Sequence, residues 1–235
     1  MNNTKKVYVP TDYQDIEITV RADSIDDAAV IRELFDENVY HLHNNFLIDS
    51  AVIMDIGANI GAFTLNVLLR AKENNVPVTI YAVEPEPHNQ ILFKQNMDDN
   101  KWLIGDSKVI LMPYALTKKS YETVKITDSQ GGSKLSDEGS EVETRTLKDV
   151  MDFYKIDKLD FLKIDIEGSE IEVLKSTPVS YLKRAHRTAI EFDEYNQTQD
   201  FLDVVKKFMD YSSFYTLGVP ARGCYIYTEN HKWQG

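Results

Sequence analysis

The stretch from Val52 to Thr64, Val-Ile-Met-Asp-Ile-Gly-Ala-Asn-Ile-Gly-Ala-Phe-Thr, constrains the fold more than any other part of the chain. Its apolar run ending in Asp55 reads as a strand, Gly57 and Gly61 bracket a tight turn, and Phe63, Leu65, Val67, Leu68 and Leu69 open a helix. A strand feeding directly into a helix is the repeating unit of a parallel α/β sheet. Ligands of such sheets bind beyond the carboxyl ends of the strands, where Asp55 lies.

Glycines at this turn allow unusual backbone dihedrals and close approach of a ligand to the main chain, and the first amides of the following helix are free donors. The spacing departs from a dinucleotide fingerprint. Asn59 stands in place of the second glycine of Gly-x-Gly-x-x-Gly, and Gly61 follows at a different offset. A carboxylate two residues before the first glycine repels phosphate. A ligand carrying an ammonium and a sulfonium, such as S-adenosylmethionine, suits Asp55 better. Taken alone, the motif fits that cofactor and an ordinary strand-turn-helix about equally.

The pattern of an apolar run closed by an acid recurs. Val78 to Val83 ends at Glu84-Pro85 and is followed by a helix from about His88 to Met97, which places Glu84 to accept from ribose hydroxyls. Lys108 to Tyr114 forms a third strand leading into Ala115 and Leu116, beside which an adenine would lie. A fourth run begins at Phe161 and ends in Asp165, and Glu167-Gly168-Ser169-Glu170 turns it into a helix. Asp165, Glu167, Glu170 and Glu172 would repel one another if all were buried and ionised. Glu170 and Glu172 read as solvated acids favoured at a helix start, whereas Asp165 lies within the strand pattern and calls for a cation or a chemical role. A fifth strand, Arg187 to Phe192, ends near Glu191 and Asp193, and a helix from Asp200 to Tyr211 precedes a terminal hairpin.

These elements predict an α/β, doubly wound, Rossmann-like sheet of seven strands with an antiparallel C-terminal hairpin. Residues 46–235 form its domain and residues 1–45 a small N-terminal cap. The cap holds a half-buried hairpin over residues 6–20 and a helix capped by Ser24-x-x-Asp27. Tyr40, His41 and His43 follow within reach of a pocket, with no third ligand to make a metal site. Val124 to Ile126, Gly131-Gly132-Ser133 and Val142 to Thr144 read as short strands, forming either a substrate flap or an exposed hairpin. Thr146-x-x-Asp149 caps a further helix.

The formal charge of −12 disfavours nucleic acid as a partner and leaves a small molecule, a sugar or glycan, or a peptide as the better substrate. Cys224 is the single cysteine, so no intramolecular disulfide forms, and its role is packing. With no apolar run of about eighteen residues and no signal-like apolar start, a cytoplasmic protein without a membrane partner is expected.

Asp55-Ile-Gly57-Ala-Asn59-Ile-Gly61, Glu84-Pro85 and Lys163-Ile-Asp165-Ile-Glu167-Gly168-Ser169-Glu170 resemble the hallmarks of the FkbM family of class I S-adenosylmethionine-dependent methyltransferases. The resemblance spans roughly residues 50–230. It implies transfer of a methyl group to an oxygen of a sugar or a polyketide-like product. By position it puts Asp55, Gly57, Asn59 and Gly61 at the methionine end, Glu84 on the ribose, Tyr114 and Ala115 at the adenine, and Asp165 facing the methyl. Asp165, Glu167 and Glu191 are the candidate bases for the hydroxyl proton. His186 reads as a packed or surface residue. A divalent metal is compatible with those carboxylates but none is assigned. Two other classes compete: a nicotinamide-dependent oxidoreductase, for which the glycine fingerprint is missing, and a non-catalytic cofactor-binding protein, which has no need of Asp165 and Glu167.

Overall fold

The computed structural model describes residues 3–42, 47, 50–129, 132–192, 199–219 and 223–233. The chain runs β1 (Thr4–Val9), β2 (Ile16–Arg21), α1 (Ile25–Phe35), β3 (Ala51–Ile56), α2 (Ala62–Glu73), β4 (Val78–Val83), α3 (Pro87–Asp99), α4 (Lys101–Ile104) and β5 (Lys108–Met112). Next come β6 (Ala115–Leu116), β7 (Thr123–Ser129), β8 (Gly132–Ser136), β9 (Ser140–Arg145), α5 (Leu147–Phe153), β10 (Leu159–Ile164), α6 (Glu170–Ser176) and α7 (Val179–Leu182). The last elements are β11 (Ala185–Phe192), α8 (Gln199–Met209), β12 (Ser212–Val219) and β13 (Gly223–Asn230).

The central strands β3 and β10 are almost entirely buried. Near-continuous apolar runs are what a parallel sheet covered on both faces requires. Seven strands form that sheet in the order β12-β13-β11-β10-β3-β4-β5, with β13 antiparallel to both neighbours. The doubly wound sheet with an antiparallel C-terminal pair is therefore present as predicted. From β3 the chain winds outward through β4 to β5, and from β10 it winds the other way to β11, so the β3–β10 boundary is the topological switch point.

Side chains alternate between two cores because successive residues of a strand face opposite ways. Ile53, Phe161, Ala189 and Tyr225 join a core with α2, α3 and the N-terminal residues Ile16, Ile18, Val20, Ile31 and Leu34. Met54, Ile56, Leu162, Ile164 and Ile190 join the other, with α5, α6 and α8. The N-terminal hairpin is tied down by two buried side-chain amides, Asn96 on α3 and Asn100 at its C-terminal cap. Asn96 accepts from the Thr19 amide at 2.7 Å and donates to the Thr19 and Ile60 carbonyls, while Asn100 accepts from the Glu17 amide at 3.0 Å. These amides satisfy backbone groups on the buried edge of β2 and buttress the glycine turn at once.

Local signals match the helix starts. Ser24 accepts from the Asp27 amide and Thr146 from the Asp149 amide. Helix α3 begins at Pro87, slightly ahead of the predicted His88, because Glu86 caps it by accepting from the Asn89 amide at 2.6 Å. The short strands after Ala115 form a separate four-stranded sheet, β6-β9-β7-β8; Gly131 lies outside the described residues. Cys224 is buried, as expected. Among the described residues no helix is long and apolar enough to cross a membrane.

Candidate active site

Strand register assembles the site. Lys163 on β10 is level with Asp55 on β3 and Ala189 on β11, and Ala189 is level with Tyr227 on β13. Two residues on, the same face carries Asp165, then Glu191, whose partner on β13 is Tyr225. A period-two repeat thus lines one face at the carboxyl ends of the strands with alternating acids, a lysine and tyrosines.

Lys163 is the centre of this arrangement. Its ammonium, 4% exposed, lies 3.3 Å from Asp55 Oδ1 and 3.2 Å from Asp165 Oδ2 and donates to the Gly57 carbonyl at 2.8 Å. Burial pulls its pKa down, but Asp165 and Asp55 outweigh that and the net shift is upward, so it is a fixed cation. Burial raises the Asp55 pKa, against the opposing pull of Lys163 and the Thr64 hydroxyl, which donates to Asp55 Oδ2 at 2.8 Å.

Tyr40, in the segment between α1 and β3, closes over the same face. Its hydroxyl stands 3.0 Å from Asp165 Oδ2 and 3.2 Å from Glu191 Oε2, and its ring packs edge-on against Phe63 and Tyr225. Burial, then the charges of Asp165 and Glu191, push its phenol pKa well up, so it remains a donor. The Tyr225 hydroxyl bonds Glu191 from the other side. Tyr227 anchors the segment by donating to the Val39 carbonyl.

The glycine turn needs its glycines for the protein's own packing. A Cβ on Gly57, at φ +80°, would stand 1.6 Å from the Asp165 carbonyl oxygen, and one on Gly61, at φ +89°, 2.8 Å from Phe93. Asn59 also takes a left-handed φ of +48°. Its amide donates to Glu84 Oε2 at 2.7 Å, and the Glu86 amide donates to Glu84 Oε1 at 2.9 Å. Burial nevertheless pushes the Glu84 carboxyl up to about 7. Glu170 departs from the sequence reading: it is buried rather than solvated, and its carboxylate accepts from the amides of Ile166 and Gly168 at 2.9 and 3.1 Å. It thereby holds the turn in which Glu167 and Gly168 both have positive φ, and burial raises its pKa to about 7. Glu172 is half-exposed and pairs with Lys118.

A cleft runs along this face. Gly57, Asn59, Glu84, Tyr114, Ala115, Asp165, Glu167 and Glu191 all line it, together with Asp27, Glu33, Tyr40, Phe63, Leu116, Ile126 and Lys163. Asp55 and Gly61 do not line it: Asp55 is spent on Lys163 and Thr64, and Gly61 abuts α3. Tyr114 is backed by Arg145, whose guanidinium lies 4.6 Å from its ring centroid. His186 stacks on Trp233 away from the cleft, His41 packs on Tyr227, and His43 and Asp193 lie outside the described residues. Among the described residues no group of three or more His, Cys, Asp or Glu is arranged to hold a metal ion. Sequence reasoning passed over Lys163 as a site residue; its one signal was a lysine inside a largely apolar strand whose every residue is buried.

Residues 55–214 match the methyltransferase FkbM domain. The chain belongs to the FkbM methyltransferase family. It is 26% identical over 201 residues to methyltransferase sdnD of Sordaria araneosa, covering 69% of this chain and 73% of that protein. It is 30% identical over 129 residues to the hexuronic acid methyltransferase AglP of Haloferax volcanii (53% and 48%), and 28% identical over 174 residues to the 31-O-demethyl-FK506 methyltransferase FkbM of Streptomyces tacrolimicus (61% and 65%). The chain thus spans about half to three quarters of these relatives. The crystal structure of methyltransferase FkbM from Methylobacillus flagellatus superimposes with a TM-score of 0.55 at 18% identity, over 84% of this chain and 47% of that one, a likeness of fold. Tyr40 and Tyr225 lie outside the family-matched residues.

Proposed function

We propose that this FkbM-family methyltransferase uses S-adenosylmethionine to methylate a hydroxyl of a small molecule or glycan. The observation that carries the reading is a single cleft at the switch point with Glu84 on one side of the boundary and Asp165 and Glu191 on the other. The residues suit the cofactor. Glu84 is buried and already accepts from the Asn59 and Glu86 amides and the Asn89 side chain; its desolvated carboxyl gains from further hydroxyl donors such as a ribose. Tyr114, Ala115, Leu116 and Ile126 offer an apolar slot for an adenine, and Gly57 and Asn59 flank the methionine end. Asp55 and Gly61 act behind the wall, holding the turn.

When bound, the cofactor supplies an electrophilic methyl carbon. Proximity in a closed cleft then provides most of the rate. Asp165 or Glu191 takes the hydroxyl proton as the oxygen attacks, and Glu167, on the strained turn beside them, is the third candidate. An oxygen acceptor agrees with the name of one relative, a 31-O-demethyl-FK506 methyltransferase, and a sugar-derived acceptor with that of another, a hexuronic acid methyltransferase. Titration calorimetry with S-adenosylmethionine, S-adenosylhomocysteine and NAD, followed by transfer of labelled methyl to hydroxylated small molecules and glycans, tests this. Binding of the first two without NAD is expected; binding of NAD alone, or of none, removes the reading.

A further inference from the structure

Asp165 and Glu191 form an acidic wall of the cleft. Lys163, the one cation among the described residues lining the cleft, is shared between Asp55 and Asp165, so one lysine faces two acids, and Glu191 adds a third acid. Two carboxylates this close repel. They are held by donors: Tyr40 reaches both, Tyr225 takes Glu191, and Lys163 takes Asp165. The Asp165 side chain, 24% exposed, faces the cleft rather than the core.

We propose that Asp165 and Glu191, fixed as one unit by Tyr40, read the charge on the cofactor's sulphur, selecting the sulfonium over the thioether product. The inference rests on the proposed use of S-adenosylmethionine. When the acceptor oxygen bonds to the methyl carbon, the C–S bonding pair stays on sulphur and the hydroxyl proton passes to a carboxylate of the wall. Positive sulphur and negative carboxylate lose their charges in the same event. The attraction that held the loaded cofactor is then absent from the spent one, and methyl transfer itself promotes product release.

The test needs no acceptor. Affinities for S-adenosylmethionine and S-adenosylhomocysteine are measured by calorimetry for the wild type, Asp165→Asn and Glu191→Gln. Each substitution keeps shape and removes charge. Each is expected to lower the ratio of sulfonium to thioether affinity at least fivefold, with thioether affinity within threefold of wild type. A merely structural role would weaken both ligands together, and that outcome, or an unchanged ratio, overturns the inference while leaving the cofactor reading intact. Wild-type protein that binds neither ligand overturns the cofactor reading itself. If Asp165→Asn fails to fold, Glu191→Gln, at a half-buried position, decides the question alone.

Discussion

Lys163 and Asp55, 108 positions apart in the chain, face each other at 3.3 Å across the boundary between β10 and β3, both almost fully buried. Their pairing joins the glycine motif to the acidic motif. Removing one partner of a buried pair leaves an uncompensated charge, so Lys163→Met should lower unfolding free energy by ~3–5 kcal/mol. Urea denaturation measures it; a loss below ~1 kcal/mol would show that Asp55 is neutralised by other means.

Gly57 and Gly168 both have positive φ, yet only Gly57 has a neighbour where a Cβ would go. Gly168→Ala should cost backbone strain alone, ~1–3 kcal/mol. Gly57→Ala must also push Asp165 away, so it should destabilise more and abolish cofactor binding. Equal thermal shifts in the two variants would contradict the close packing of the two motifs.

Glu84 and Glu170 have folded-state pKa values of about 7 against 4.5 for the free side chain. The folded protein therefore binds more protons than the unfolded chain between those limits. Stability should fall as pH rises from about 4.5 to about 7, by up to ~3 kcal/mol per group. Glu84→Gln should flatten that slope and weaken cofactor binding. A melting curve series whose pH slope is the same in wild type and variant would refute the role of Glu84.

Tyr40→Phe retains the ring packing against Phe63 and deletes the hydroxyl shared by Asp165 and Glu191. Hydrogen bonds to charged groups contribute ~1.5–3 kcal/mol, and a stability loss of that size is expected. Wild-type melting behaviour would mean that the hydroxyl does not clasp the two carboxylates.

Glu191→Gln should lower kcat by ~10²–10⁴ with an acceptor found in the methyl-transfer screen, the range expected for loss of a general base. Turnover within twofold of wild type would leave Asp165 or Glu167 as the base.

Much of this protein was legible in the chain because its signals are local. Apolar runs, the turn glycines, the caps Ser24 and Thr146 and the acids closing each strand report on neighbours a few residues away, and they were enough for the sheet, its winding and eight of the ten candidate residues that line the cleft. What tertiary structure alone decided depends on register between distant strands. That register puts Lys163 beside Asp55, Glu191 beside Tyr225, and Tyr40 above both acids, pairings separated by 34 to 151 positions. It also buries Glu170, which reads from sequence as a solvated helix start, because the turn just before it needs an acceptor for its own amides. Composition and periodicity place a residue on an element and a face; only the order in which strands lie side by side determines which charges must share a proton, a cation or a ligand.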